Sequence, residues 1–300
     1  MVGEPKSEAE LKKLFPAPRS IDPCLCGSRK RAGQCCLKET GQLVKSPSET
    51  KPPAGPTKLV TEKCYAGELN DCDGDSPTKE HYISAAVLEL MGDKIDLGGA
   101  PWKKDDGPLS ISALTSRILC KRHNNVLSGL DSEAARLFNA LIGFHKGQTK
   151  GRTLFSGEDI ERWMLKTLAG IVASGTAARG GERVKANPSR EYLEILFGEK
   201  TMPLEWGLHY FDYLPSEERP KSQLRIRPEI REDHGRIIGV TIAMVGCQLR
   251  LNMGRITNLT DRAVIHRPRA LVLADEALLE LSWQDSTKTT GVVLSKSPPP

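Results

Sequence analysis

The cysteines are the residues of this chain whose type and spacing point most directly to chemistry. There are eight among 300 residues, and most of them are clustered. The N-terminus, MVGEPKSEAELKKLF, has no apolar stretch before a small-residue cleavage site, so we expect no secretory signal and a cytoplasmic location. In that reducing compartment, clustered cysteines favour metal binding over disulfide bonds.

The first cluster lies in CLCGSRKRAGQCC and consists of Cys24, Cys26, Cys35 and Cys36. Two tight pairs joined by an eight-residue turn can place four thiolates tetrahedrally around one zinc ion. A segment this short cannot bury a core, so the metal would supply its folding energy. Reactive free thiols or a redox pair are the alternative interpretation.

The spacing of these cysteines, together with four residues of the turn, resembles the SEC-C motif. The four residues are Gly27, Ser28, Lys30 and Arg31. The resemblance covers about residues 23–37 and implies a zinc knuckle that serves as an interaction element. It therefore implies a protein partner for this part of the chain.

A second set of ligands is spread over KCYAGELNDCDGDSPTKEHYIS and RILCKRHNNVLSGLD. It consists of Cys64, Cys72, Cys120 and His123. The first two precede a predicted strand, and the last two form a C-x-x-H pair that leads towards a predicted helix. This order is typical of a treble clef, in which one structural zinc ion holds a strand and a helix together.

Three further residues of this region, Glu80, His81 and Asn124, complete a resemblance to the HNH endonuclease family and its ββα-metal fold. The resemblance spans about residues 64–131. It implies that His81 is the general base, because an imidazole with a pKa near neutrality can take a proton from water. It also implies that Glu80 and Asn124 are oxygen ligands of one catalytic Mg²⁺ or Mn²⁺ ion, separate from the structural zinc.

The match to the HNH pattern differs from the family at three places. The acid of the acid–histidine dyad is Glu80, where Asp is more common. Seven residues separate Cys64 from Cys72, where two to four are usual. The family's intermediate asparagine is replaced by Thr115 or Ser116, and either hydroxyl could orient a ring nitrogen. Arg117 or Arg122 could contact phosphate.

The acidic residues of DCDGDSPTKEHY allow an alternative interpretation as a calcium loop. Asp71, Asp73 and Asp75 alternate as in an EF-hand, but Ser76 and Tyr82 stand where that loop needs Gly and Glu. Turn-forming residues of a zinc knuckle account for the same run. Cys247 stands alone in an apolar segment and is expected to be a small core residue.

The elements that must position these residues indicate an α+β protein. Helices are predicted from SEAELKKLF, from Asp131 onwards, from the Ser156–Asp159 cap onwards, and in REYLEILFG, which ends at Gly198. From about residue 205 apolar residues alternate, which predicts a C-terminal antiparallel sheet. The expected organisation is an N-terminal arm (1–22), a SEC-C-like zinc knuckle (23–37), a flexible linker (38–60), an HNH-like treble clef (61–146), a helical segment (147–204), the antiparallel β-rich domain (205–295) and a tail (296–300).

Composition and charge narrow the classes of function. The longest apolar run, residues 237–249, has 13 residues, whereas a membrane span needs about 20. The whole net charge of +5 lies in residues 1–60, which contain 11 Lys+Arg and 6 Asp+Glu; the rest of the chain is balanced. We therefore expect no membrane partner, and the mildly basic arm alone does not establish a nucleic-acid partner.

The resemblance thus predicts a metal-dependent HNH-type endonuclease with two structural zinc sites. We expect it to act on DNA, because most HNH relatives do. By analogy with the family, its role would be bacterial defence. The alternative is a non-catalytic adaptor in which both zinc sites are scaffolds for binding nucleic acid or protein. A third hypothesis is that the C-terminal sheet binds a ligand or partner that gates the nuclease.

Overall fold

The computed structural model describes residues 8–53, 55–92, 94–95, 97–98, 108–179, 182–184, 187–211, 224–230, 237–244, 247–254, 264–273, 276–285 and 292–295. Ser7, the first residue of the predicted helix SEAELKKLF, and the tail 296–300 lie outside these ranges. The fold is mixed α+β, as predicted.

The α-helices of the described ranges are α1 (Glu8–Leu14), α2 (Ala85–Leu88), α3 (Lys121–Val126), α4 (Ser128–His145), α5 (Gly157–Ser174) and α6 (Arg190–Leu196). Helix α5 begins where predicted, because the Ser156 hydroxyl accepts a hydrogen bond from the Asp159 N–H at 3.1 Å. Helix α6 ends just before Gly198, whose φ of 73° suits a residue without a side chain. None of the helices within the described ranges is long and apolar enough to span a membrane.

The strands are β1 (Thr78–His81), β2 (Lys94–Ile95), β3 (Leu97–Gly98), β4 (Leu109–Ser110), β5 (Thr115–Leu119), β6 (Gly151–Ser156), β7 (Ala177–Arg179), β8 (Glu182–Val184), β9 (Gly207–Phe211), β10 (Leu224–Ile230), β11 (Ile237–Met244), β12 (Cys247–Asn252), β13 (Val264–His266), β14 (Ala270–Leu273), β15 (Ala277–Ser282) and β16 (Val292–Ser295). Strands β1 and β5 form an antiparallel pair next to the predicted catalytic residues, with β2–β4 and β7–β8 as further two-stranded pairs.

The C-terminal strands belong to two sheets, whereas the alternation had predicted one antiparallel sheet. The first has the order β13-β9-β12-β11-β10-β3 and is antiparallel except where β3 joins β10. The second has the order β16-β14-β15-β6, and its outer pairs β14–β16 and β15–β6 are parallel. Alternation identifies strands but carries no information about distant partners such as β6, so the mixed pairing could not be predicted from it.

The N-terminal arm is docked on the second sheet. Leu11, within α1, and Phe15, just after it, pack against Ala270, Val272 and Leu278 in a small apolar cluster. All four residues of β14 are buried, because α1 covers part of the face that would otherwise meet water. The arm is therefore an element of the fold.

The segment 38–60, predicted as a flexible linker, also packs against the body. Thr50 is fully buried, and the Ser48 backbone N–H and hydroxyl both donate to the Asp159 carboxylate at 2.9 Å. The Lys45 ammonium pairs with the buried Glu133 carboxylate on α4. Composition had indicated too little apolar surface to fold, but this segment is held by hydrogen bonds to buried acids, which composition does not register.

The main core is one continuous cluster of buried apolar residues that runs from Cys64 to Trp283. It includes Phe138 of α4 and Trp163 of α5, whose rings meet edge to face at 5.5 Å. The predicted boundaries near residues 146 and 204 do not coincide with a break in this core. Helix α5, almost entirely buried, therefore joins the cysteine-bearing region to the large sheet.

Candidate metal centres and acid–histidine site

The second cysteine cluster has the geometry of a closed metal centre. The ligand atoms of Cys64, Cys72, Cys120 and His123 all lie within 4.8 Å of one another, and all four residues are buried. The His123 Nδ1 atom lies 3.7, 3.9 and 3.1 Å from the Sγ atoms of Cys64, Cys72 and Cys120. Tetrahedral zinc with ordinary bond lengths requires S–N separations of about 3.6 Å, so the donor set fits a structural zinc ion.

Local backbone contacts bring these four ligands together. The Tyr65 N–H donates to the Ile118 carbonyl at 2.9 Å, which attaches the loop after Cys64 to β5. The residues between Cys64 and Cys72 include a single 3-10 turn, Gly67–Leu69, so the long spacing is accommodated within the loop. Cys120 immediately precedes α3, and His123 lies in its first turn.

The electrostatics of this cluster favour a thiolate at one position. A hydrogen bond from the Cys64 thiol lowers the pKa of Cys120 to about 4, and His123 contributes in the same direction. The same hydrogen bond raises the pKa of Cys64. The thiolate is the form that ligates metal, so a lowered pKa of Cys120 suits a metal ligand.

The acidic run beside this cluster is used for capping and pairing. Asp71 pairs with the Arg122 guanidinium at 2.9 Å, and Asp73 accepts the Arg122 backbone N–H at the start of α3 at 2.9 Å. These contacts agree with turn-forming acids of a knuckle. Arg122, one of two expected phosphate contacts, is engaged here, whereas Arg117 is exposed.

The first cluster also has the geometry of a metal centre. The Sγ atoms of Cys24, Cys26, Cys35 and Cys36 lie within 4.8 Å of one another. The Cys26–Cys35 and Cys35–Cys36 sulfur separations are 3.5 and 3.6 Å, close to the roughly 3.8 Å of tetrahedral zinc thiolates. Burial raises the pKa of Cys26, but hydrogen bonds from Ser28 outweigh it and lower the pKa to about 6. Both clusters could therefore hold a metal ion.

The knuckle around the first cluster is fixed to the body. The Leu154 N–H of β6 donates to the Leu25 carbonyl at 3.1 Å. A side chain at Gly33 would place its Cβ 2.8 Å from the Cβ of Ser20, so glycine permits the close approach of these two segments. The lone Cys247 lies elsewhere, buried in β12 as predicted, where burial raises its pKa to about 12.

Glu80 and His81 are adjacent on β1 and therefore point to opposite faces of that strand. The Glu80 carboxylate is buried and lies 2.7 Å from the Lys166 ammonium of α5. The His81 ring is half-buried, and burial lowers its pKa, which keeps it neutral at neutral pH. Its partner across the β1–β5 ladder is Thr115, one of the two residues expected to replace the family asparagine; Ser116 is opposite Glu80.

Lys166 is the centre of a buried polar network that local patterns did not indicate. It is 2% exposed, and its ammonium lies 2.7 Å from carboxylate oxygens of both Glu80 and Asp131. The Ser84 hydroxyl donates to Asp131 and accepts from the Trp163 indole N–H at 2.6 Å. Burial lowers the pKa of Lys166, but the two carboxylates outweigh it and raise the pKa overall.

The structure thus brings together each of the two predicted sets of metal ligands. Glu80 faces the Lys166 network, whereas His81 projects from the other face of β1. Asn124 is half-buried and follows the fully buried ligand His123 on α3. The catalytic roles of Glu80, His81 and Asn124 stay predictions.

Fold and sites together define a mixed α+β protein with two candidate metal centres. In comparisons with protein-family models, with curated proteins and with solved structures, nothing matches this chain.

Proposed function

We propose that this protein is an HNH-type endonuclease that hydrolyses phosphodiester bonds in DNA, with His81 as the general base. The observation that supports the proposal most is the arrangement of β1, β5 and α3 around the buried set of Cys64, Cys72, Cys120 and His123. A closed zinc site of this kind would hold strand and helix at a fixed separation. His81 then lies on the strand and Asn124 on the helix.

His81 has the properties that a base requires. Its ring is neutral at neutral pH, so the imidazole can accept the proton of an attacking water. Within the part of the chain that the structure describes, no hydrogen bond occupies either ring nitrogen. Thr115 lies directly across the ladder, and its hydroxyl donates to the Ser112 carbonyl at 2.8 Å, leaving lone pairs that can orient the ring N–H.

The expected Mg²⁺ or Mn²⁺ ligands fit the arrangement less well than the zinc ligands do. Glu80 is committed to Lys166 at 2.7 Å, so its carboxylate is not available as an oxygen ligand in this conformation. Asn124 is half-buried on α3, where its amide remains a candidate oxygen ligand. We therefore derive no step through a catalytic ion, and its requirement is part of the test.

Plasmid nicking in the presence of Mg²⁺ or Mn²⁺ tests the proposal. His81→Ala should reduce the rate by at least about 10²-fold, the usual contribution of a general base. Lys79→Ala, at an exposed position on the same strand, is the matched control and should cleave like the wild type. Both variants should retain the zinc content and circular dichroism of the wild type. Equal cleavage by wild type and His81→Ala would reject the base.

A non-catalytic adaptor is the second candidate, and the burial of Glu80 against Lys166 favours it. A carboxylate held in a core ion pair has a structural function that requires no substrate. The adaptor hypothesis expects no nicking by the wild type and DNA or protein binding that survives Asn124→Ala. It also expects Cys120→Ala to unfold the body, because zinc would be the scaffold.

A further inference from the structure

The two cysteine clusters differ in their exposure to solvent. Cys35 of the first cluster is partly exposed, whereas all four ligands of the second cluster are buried. The exposed Ser28 side chain places its hydroxyl 3.2 Å from Cys35 Sγ, so this sulfur lies next to the surface of the knuckle. Reagents in solution can therefore approach the first cluster more closely than the second.

The two donor sets also differ in the negative charge that they place on sulfur. Four thiolates around one zinc ion carry a net charge of −2, whereas three thiolates and a neutral imidazole carry −1. The additional charge makes a bound thiolate a better nucleophile towards an oxidant such as hydrogen peroxide. Oxidation of cysteine follows thiolate character and exposure, and both properties favour the first cluster.

Two sulfurs of the first cluster are placed to form a disulfide. Cys35 Sγ lies 3.5 Å from Cys26 Sγ and 3.6 Å from Cys36 Sγ. Cys35 and Cys36 are adjacent, and neighbouring Cα atoms are about 3.8 Å apart, which is shorter than the roughly 4.4 Å that an unstrained disulfide needs. Cys26 is nine residues away along the chain and has no such restriction. Cys26 is therefore the preferred partner of Cys35.

We propose that the first cluster is a site of reversible oxidation by hydrogen peroxide, in which Cys26 and Cys35 form a disulfide and zinc is released. The Cys35 thiolate attacks the peroxide, which breaks the O–O bond, forms a sulfenic acid and releases hydroxide. The Cys26 thiolate then attacks the Cys35 sulfur and displaces a second hydroxide. The two sulfurs lose two electrons, which reduce the peroxide, and two protons from the solvent convert the hydroxides to water. A dithiol reductant reverses the reaction.

The loss of two ligands should detach the knuckle from the body. A structural zinc site needs four ligands, and only Cys24 and Cys36 would remain as thiolates. The folded knuckle packs three of its cysteines against Leu154 of β6, which is fully buried. Because a segment this short cannot keep its fold without the metal, we expect oxidation to uncover this part of β6.

The turn of the knuckle offers a direct readout of this change. Arg29, Lys30 and Arg31 are exposed, so trypsin can recognise their side chains. Their backbone is held in the folded knuckle, where the Cys24 N–H donates to the Lys30 carbonyl at 2.8 Å and Arg31 forms a β-bridge with Pro23. Cleavage after these three residues should be slow in the zinc-loaded protein and fast after oxidation.

Hydrogen peroxide added to the full zinc-loaded chain, with zinc release followed by a chromogenic chelator, tests the inference. One zinc ion should leave at least about 10-fold faster than the other. Peptide mass spectrometry should find a Cys26–Cys35 disulfide, and alkylation should label Cys24 and Cys36. Dithiothreitol with added zinc should restore the metal content and the resistance to trypsin. The proposal rests on zinc in the first cluster, but none of its readouts involves nicking, so its failure is distinct from that of the nuclease.

Cys35→His is the discriminating variant, because it keeps four ligands with the charge of the second centre and removes the partly exposed thiolate. It should release zinc at least about 10-fold more slowly than the wild type. Cys247→Ala, whose thiol is buried outside both clusters, is the control and should match the wild type. If Cys35→His does not bind two zinc ions, the two centres of the wild-type chain supply the comparison.

Four outcomes of the peroxide experiment would overturn the proposal. They are retention of both zinc ions, equal rates of release from the two centres, earlier release from the second centre, and release without a Cys26–Cys35 disulfide. A zinc-binding Cys35→His protein that releases zinc as fast as the wild type would contradict the role of Cys35.

Discussion

Replacing Lys166 by Met is the sharpest test of how β1 is attached to the helical core. The substitution keeps an unbranched side chain of similar length and removes an ammonium that is 97% buried between two carboxylates, each at 2.7 Å. Breaking a buried ion pair by removing one partner costs about 3–5 kcal/mol, because the remaining charge is left uncompensated. In Lys166→Met, Glu80 and Asp131 would face each other without a cation. We therefore expect the free energy of unfolding to fall by an amount at the upper end of that range near pH 8.

The loss should depend on pH in a defined direction. In the wild type the pKa of Lys166 is raised, so its contribution is complete below about pH 10.5, the ordinary lysine value, and is lost only above it. The destabilisation of Lys166→Met relative to the wild type should therefore be constant from neutral pH to about pH 10.5 and shrink only above it.

Urea denaturation followed by tryptophan fluorescence and circular dichroism measures the free energy of unfolding of both proteins. Lys79→Met on the same strand is exposed and should change it by less than about 0.5 kcal/mol. Adding Glu80→Gln and Asp131→Asn to Lys166→Met should restore part of the loss, because the unpaired charges disappear. A Lys166→Met protein within about 0.5 kcal/mol of wild type at pH 8 would refute the ion-pair argument.

Three further predictions rest on single contacts. The folded chain should carry two zinc ions by elemental analysis, falling to one in Cys120→Ala and staying at two in Cys247→Ala, whose thiol lies outside both clusters. Burial and the stacked ring of His266 at 4.6 Å lower the pKa of His209 to about 3. The stability that the neutral ring contributes above pH 6.5 should therefore be lost towards pH 3, by about 1.4 kcal/mol per pH unit. The free energy of unfolding of His209→Gln should depend less steeply on pH in this range. Gly157→Ala would bring a Cβ to 2.4 Å from the Trp283 ring and should lower the free energy of unfolding by about 1–3 kcal/mol in urea; an unchanged midpoint would contradict that contact.

The parts of the fold that could be predicted from the sequence are those in which neighbours along the chain determine the outcome. Both sets of metal ligands were predictable, because the C-x-C, C-C and C-x-x-H spacings already bring donors close together. The cap at Ser156 was predictable for the same reason, since its partner Asp159 is three residues away. In each case tertiary structure only completes what local geometry begins.

The parts that could not be predicted depend on distant partners. Lys166 lies among the apolar residues of α5, and pattern analysis assigns a lysine at such a position to the solvent face. It is buried because Glu80 and Asp131, 86 and 35 residues earlier, converge on it. The packing of segment 38–60 has the same kind of cause, since Ser48 is held by an acid 111 residues further along.

Within the proposed nuclease, Glu80 has two possible roles, an anchor for β1 or a ligand of the catalytic ion, and replacing it distinguishes them. If Glu80 only anchors β1 to Lys166, then Glu80→Gln should lower the free energy of unfolding while each folded molecule keeps the wild-type nicking rate. If Glu80 leaves Lys166 to bind a catalytic ion, the rate per folded molecule should fall by at least about 10²-fold, and the Mg²⁺ concentration giving half-maximal rate should rise. Measuring nicking against Mg²⁺ well below the unfolding temperature, with rates normalised to folded protein, distinguishes these outcomes. The Glu80 carboxylate lies 2.7 Å from Lys166, and His81 projects from the other face of β1; both observations favour an anchoring role for Glu80. We therefore expect Glu80→Gln to be less stable but to keep the wild-type nicking rate per folded molecule.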